Sequence, residues 1–192
     1  MLILLGIAGS FFVYVQSRDR AAAGMYADLA ALKAKIDPAD IAQLAGSDSD
    51  LNSPAYQRIK ATLTDVPRDR TDIRFAYVMG KNASGDVFFY ADSEDPSSPD
   101  YSPPGQVYYE ASPKLKSLWT DPRMATEGPE SDRWGLWISA FDPIQLPNHQ
   151  LAVLGVDEAA GQYVRALSLR AAIPAVIGLL LAGIWLLMTR RA

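Results

Sequence analysis

The residues most suited to chemistry lie between Lys81 and Lys114. Six acidic side chains occur there without a basic one: Asp86, Asp92, Glu94, Asp95, Asp100 and Glu110. Tyr90, Tyr101, Tyr108 and Tyr109 are interleaved with them. Carboxylates beside aromatic faces suit a cationic or amine ligand, through charge-assisted hydrogen bonds and cation–π attraction. The same oxygens suit Ca²⁺. However, Asp92-x-Glu94-Asp95 lacks the sixth-position glycine of an EF-hand loop, since residue 97 is Ser. The bland alternative is a solvated acidic loop with Asp and Ser capping its turns. No metal and no cofactor is expected.

Catalysis finds little support. The chain has no Cys, and its one histidine, His149, sits in a Pro-Asn-His turn. A thiol nucleophile, a Cys-ligated zinc site and a disulfide framework are therefore excluded. A paired-carboxylate hydrolase needs two acids at a defined separation, which the spacing does not supply.

Positioning these residues calls for a sheet. Residues 73–79 (IRFAYVM), 87–91, 133–141 and 151–156 are rich in strand formers, with turn residues Asn82, Ser84 and Gly85 between the first two. Alternation puts Phe75, Tyr77 and Met79 on one strand face. It likewise groups Gly135, Trp137, Ser139 and Phe141, and then Leu151, Val153, Gly155 and Asp157. Asp157 is the odd member, a carboxylate ending an apolar face. It either meets a ligand or caps the helix expected from Glu158 onward. Between the hairpins, residues 92–105 carry Pro96, Pro99, Pro103 and Pro104, and a loop of that length suits a lid. A mostly apolar pocket is expected beneath it, on the face bearing Tyr77 and Trp137.

Helices bracket the strands. Met25, Leu29, Leu32 and Ile36 form a stripe on a helix over 16–36. That stripe serves either packing within the domain or a parallel helix pair in a homodimer. Asp37-Pro38 and Ser53-Pro54 open two short helices, the second stopped by Pro67. Tyr108 to Trp119 reads as a short helix interrupted near Pro113. Grouped strands covered by helices argue an α+β domain with an antiparallel sheet.

Two apolar runs flank this domain. Residues 1–15 and 171–189 are expected to be transmembrane helices, the first a signal anchor and the second close to the about 20 residues a bilayer requires. The first run lacks the basic n-region of a cleaved signal. Trp185 suits an interface, and Arg190 and Arg191 favour a cytoplasmic stub at 190–192. Arg18, Arg20, Arg165 and Arg170 flank a long loop, and long loops translocate largely regardless of charge. Residues 16–170 are thus read as one extracytoplasmic domain of an inner-membrane protein. All 22 acidic residues lie between the runs, against 18 basic residues in the whole chain. This acidic balance does not favour nucleic acid.

The residues also resemble a known family. Phe75-Ala76-Tyr77-Val78 with Gly85-Asp86-Val87-Phe88-Phe89, then Trp137-Ile138-Ser139-Ala140-Phe141-Asp142-Pro143-Ile144, then Leu151-Ala152-Val153-Leu154-Gly155-Val156-Asp157, are similar to central strands of extracytoplasmic PAS-like Cache sensor domains. These serve bacterial histidine kinases, diguanylate cyclases and chemoreceptors. The resemblance covers about 16–170. It implies a PAS-like sheet behind a long N-terminal helix. It also implies a small-ligand pocket, with Asp157 facing it, and a relay through the second span to a cytoplasmic output domain that either follows in a longer chain or belongs to another one. Trp119 matches a family recognition position, but Ser117 stands where an Arg would mark an amino-acid ligand. The candidate ligand contacts are Tyr77, Tyr90, Asp92 and Tyr101, with Tyr109, Trp119, Trp137 and Asp157. The leading function is a non-enzymatic sensor input region. The alternatives are a bitopic accessory protein without a small-molecule ligand and a membrane-anchored hydrolase.

Overall fold

The computed structural model describes residues 2–189. The expected cytoplasmic stub with Arg190 and Arg191 lies outside the described residues, as do the side chains of Arg18 and Trp185. The chain divides into two compact units, Gly24–Ala160 and a second built from Met1–Ala23 with Gly161–Ala192.

The first unit is α+β. Helix α1 (Leu2–Lys33) enters it and is followed by α2 (Pro38–Ile41) and α3 (Pro54–Asp69). Strands β1 (Ile73–Lys81) and β2 (Val87–Asp92) form a hairpin. A long connection carries the short α4 (Pro113–Ser117). Strands β3 (Ala125–Asp132), β4 (Gly135–Gln145) and β5 (Leu151–Ala159) complete one five-stranded antiparallel sheet in the order β2-β1-β5-β4-β3. Helix α5 (Ala160–Thr189) leaves the unit from β5.

Local chemistry explains the helix starts. Asp37, Ser53 and Ser112 each accept a first-turn amide, from Ala39 (2.8 Å), Tyr56 (3.1 Å) and Leu115 (2.9 Å). In all three cases proline follows at the first helical position, where its missing N–H has no partner to lose. Pro113 therefore opens α4 rather than interrupting a helix over 108–119. Pro67 does not stop α3, which runs on to Asp69. Only the final turn lies beyond it, and the Arg70 amide still closes on the Val66 carbonyl at 2.9 Å. The Met25, Leu29, Leu32 and Ile36 stripe is buried within this unit. It packs into its own domain.

Two strand expectations change. Strand β3 has no counterpart in the sequence reading. Its segment ATEGPESD has one β-branched residue, Thr126, and no aromatic residue, and Pro129 fits because β3 is an edge strand. Glu158 stays in β5 rather than starting a helix, and Asp157 beside it caps nothing. The predicted faces hold. Phe75, Tyr77, Met79, Trp137, Phe141 and Val153 share one core cluster with Phe89 and Leu115.

The second unit is helical. Among the described residues, one helical segment, Ser168–Thr189, is long and apolar enough to cross a membrane. It contains most of the second expected span. The N-terminal run continues without a break as the first turns of α1. Within this unit Gly6 and Gly9 lie against Pro174 of α5. A Cβ on Gly6 would come within 3.1 Å of the Pro174 carbonyl oxygen, and one on Gly9 within 3.2 Å of its Cβ. Absent side chains thus permit a close helix approach, the usual device where packing rather than water expulsion joins helices.

Candidate functional site

The sheet face opposite α3 carries a cavity of ≈ 60 Å³. A single water needs about 10–15 Å³ on the same measure, so this partly open cavity suits a small ligand. Its apolar wall is Phe75, Tyr77, Phe89, Trp134, Trp137 and Phe141. Seven carboxylates also line it: Asp92, Asp100, Glu110, Glu127, Glu130, Asp132 and Asp157. No Lys, Arg or His is among the lining residues. The wall is thus far more acidic than the mostly apolar pocket expected. The cover comes from Asp100 and Ser102 and also from Tyr108, Glu110 and Ser112 beyond the 92–105 loop.

Tyr77 and Asp157 form its floor. The β1–β5 register places Tyr77 opposite Gly155 and Phe75 opposite Asp157. A Cβ on Gly155 would overlap the Tyr77 ring, so glycine there lets the ring lie flat on β5. The Tyr77 hydroxyl then donates to Asp157 Oδ1 at 2.8 Å. Gly155→Ala should expel the ring, break this hydrogen bond and destabilise the domain by about 1–3 kcal/mol. Denaturant unfolding with tyrosine fluorescence checks this, and an unshifted midpoint refutes it.

Asp157 is only 7% exposed. Burial pushes its carboxyl up to about 7; the Ser139 and Tyr77 hydrogen bonds pull the other way, while the Asp132 and Glu127 charges add to the rise. Burial likewise raises the Tyr77 phenol well above its usual value. Asp132 organises the neighbouring wall. Its Oδ1 accepts from the amides of Trp134 (2.9 Å) and Gly135 (3.0 Å) and from Trp137 Nε1 (2.9 Å), and its Oδ2 accepts from Tyr108 (3.0 Å). Trp137 in turn meets Phe75 edge-on at 5.0 Å.

The acidic loop is largely neutralised by the domain itself. The Lys60 ammonium of α3 donates to Asp92 Oδ1 and to the Asp92 carbonyl, both at 2.9 Å, and to the Glu94 carbonyl. It also lies 4.7 Å from the Tyr101 ring centre. Ser102 donates its amide to the other Asp92 oxygen at 2.6 Å. Arg74 bonds Glu94 and, at 2.7 Å, Asp100. The cation–carboxylate–tyrosine arrangement expected of a ligand is therefore present around Lys60. Arg133 pairs with Glu110 at 2.6 Å.

Of the eight candidate contacts, the fold brings Tyr77, Asp92, Trp137 and Asp157 together at the cavity. Tyr101 lies outside the lining, its hydroxyl 3.1 Å from that of Tyr56. Tyr90 packs edge-on to Phe88 at 4.8 Å, and both rings crowd Gly80. Tyr109 is 80% exposed. Trp119 packs at the rim of the core and donates its indole N–H to the Leu151 carbonyl at 3.0 Å. The sequence reading missed Glu127, Glu130 and Asp132, because all three belong to the unrecognised β3. Among the described residues, no group of His, Cys, Asp and Glu is arranged to hold a metal ion.

No protein-family profile and no curated protein matches the sequence. Solved structures do. The extracellular ligand binding receptor from Desulfohalobium retbaense DSM5692 superposes with a TM-score of 0.54 at 10% identity, over 83% of this chain and 26% of that one. The described domain shares its fold with part of that receptor. The ligand-binding domain of the Campylobacter jejuni chemoreceptor Tlp3 is also similar. In complex with L-norvaline it gives 0.49 at 15% identity, over 88% of this chain and 61% of that one. In complex with 4-methylisoleucine it gives 0.48 at 14% identity, over 84% and 60%. The chain thus spans less than two thirds of each of these structures, and it is the first superposition that establishes the fold.

Proposed function

We propose that this chain is the extracytoplasmic ligand-sensing input region of a membrane signalling protein and that its ligand is a small cation. In this reading the chain crosses the inner membrane twice, at the start of α1 and at Ser168–Thr189, with Gly24–Ala160 outside. Ligand binding is relayed through α5 to a cytoplasmic output domain. The observation that carries the ligand class is the cavity wall, with seven carboxylates, aromatic faces and no base. An α-amino acid would set its own carboxylate among those of the wall with nothing to balance it. A cation offsets the ionised Asp157 and gains attraction to the aromatic faces.

Two measurements test this, the first on the full chain in detergent and the second in intact cells. Calorimetric titration should show binding of small amines and none of the matching organic acids; the reverse preference refutes the ligand class. The absence of Cys makes the topology equally direct. A single Cys at Ser97 or Asn148 should react with a membrane-impermeant maleimide on intact spheroplasts. Protection until the cells are lysed would place the domain inside and end the sensor reading.

A further inference from the structure

The β3–β4–β5 register aligns a row across the cavity floor. Glu127 pairs with Ser139, Ser139 with Asp157, and Asp157 with Phe75. All four side chains line the cavity. The small Ser139 leaves open space between two carboxylates. Their backbones stand about 10 Å apart, two strand spacings, and the side chains narrow that gap from both sides.

These two acids differ from their neighbours. Asp92 has Lys60, Asp100 has Arg74, and Glu110 has Arg133. Asp132 is saturated by four donors. Glu127 accepts only from the Ser112 hydroxyl, at 2.9 and 2.7 Å, and Asp157 from the Tyr77 and Ser139 hydroxyls. Lys114 is near Glu127, but its ammonium bonds the Thr126 carbonyl. Burial raises both carboxyls above their ordinary values. Glu130 also lines the cavity without an ion pair, but it is exposed. Among the described residues, then, Glu127 and Asp157 are the two lining carboxylates that are at least partly buried and have neither an ion-pair partner nor the full donor set of Asp132, and the register sets them on either side of the small Ser139.

We propose that Glu127 and Asp157 form a two-carboxylate clamp for one primary ammonium group, and that Glu127 sets a preference for primary over quaternary amines. The inference rests on the cation-sensing reading above and adds a specificity residue to it. The chemical reason is donor count. A clamp with an acceptor on each side needs an N–H directed to each, and a quaternary nitrogen has none. An aromatic cage alone would take both kinds of cation, because cation–π attraction does not need an N–H.

The test uses the full chain in detergent at pH 8, titrated with tert-butylammonium and tetramethylammonium chloride. These cations are isosteric and carry the same charge, so only the N–H donors differ. Wild type should bind tert-butylammonium at least ten-fold more tightly. Glu127→Gln should weaken tert-butylammonium by about ten- to a hundred-fold, as expected for losing one charge-assisted hydrogen bond, and leave tetramethylammonium within about two-fold. Glu127→Asp keeps the charge but withdraws it from the row, and should fall between. Thermal melting of each variant verifies that it is folded. Equal binding of the two cations by wild type, or unchanged tert-butylammonium affinity in both Glu127 variants, overturns the clamp while leaving the cation reading intact. Failure of wild type to bind either cation at millimolar concentration overturns both.

Discussion

At pH 8, Asp157→Asn melts at a higher temperature than wild type, and the gap narrows as pH falls until the two forms melt together at about pH 4. The carboxyl is buried and pushed up to about 7 by that burial, against its ordinary 3.8. A group whose folded-state value is raised binds its proton more tightly when folded. Its contribution is fully present below the unfolded value and is lost as pH rises through the folded one. The window therefore runs from about pH 4 to about pH 7. A shift of this size corresponds to about 4 kcal/mol, which wild type forfeits at pH 8 and the uncharged Asn does not. Asn can still accept the Tyr77 hydroxyl. Below pH 4 both forms should weaken together, as carboxylates held low by arginines, Asp40 with Arg58 and Glu110 with Arg133, become protonated. Melting temperature against pH for the two proteins decides the matter; parallel curves from pH 5 to pH 8 would sink the prediction. The same reasoning links stability to function. A cation bound beside the ionised Asp157 offsets its burial, so ligand should raise the melting temperature of wild type at pH 8 more than at pH 5.

A comparable loss is expected from Lys60→Met. Asp92 is buried and Lys60 largely so, their side chains 6% and 13% exposed. Removing the ammonium leaves Asp92 without its cation and frees the Asp92 and Glu94 carbonyls. Breaking a buried pair from one side is destabilising by about 3–5 kcal/mol, because an uncompensated charge remains. Met retains the apolar reach of the lysine stem, so the loss reports charge rather than packing. Adding Asp92→Asn removes the orphaned charge and should recover much of the stability. Urea unfolding of wild type, both single variants and the double variant measures the coupling. A Lys60→Met midpoint equal to wild type would show that the ammonium is not what holds the 92–105 loop on α3.

How much of this was legible in the sequence depends on the range of the interaction. The starts of α2 and α3 were open to reading because a Ser or Asp before a Pro acts within one turn; Ser112-Pro113 follows the same rule at α4, where the reading had instead placed an interruption. The cavity floor was partly open because alternation within β1, β4 and β5 assigns Phe75, Tyr77, Trp137 and Asp157 to their faces without knowledge of strand order. Strand β3 was not open. Thr126 alone in ATEGPESD favours extension, and the segment is a strand because the edge of β4 offers it hydrogen-bond partners. Its loss concealed Glu127 and Asp132, two of the carboxylates that make the cavity acidic.

The acidic loop teaches the converse. Its composition suggested a cation bound by carboxylates and tyrosines, and such a cation is there, supplied from α3 by Lys60. Sequence spacing could not pair Lys60 with Asp92, because they are joined only when the helix packs on the hairpin.

By itself the sequence determined the α+β class, the faces of the recognised strands, the helix caps and the apolar run of α5, since each follows from periodicity or from contacts within a few residues. The tertiary structure alone decided the strand order, the existence of β3, the union of Glu127 and Asp157 across Ser139, and which carboxylates find an arginine or lysine. Those outcomes depend on which distant segments meet, and electrostatic partnership acts through space rather than along the chain.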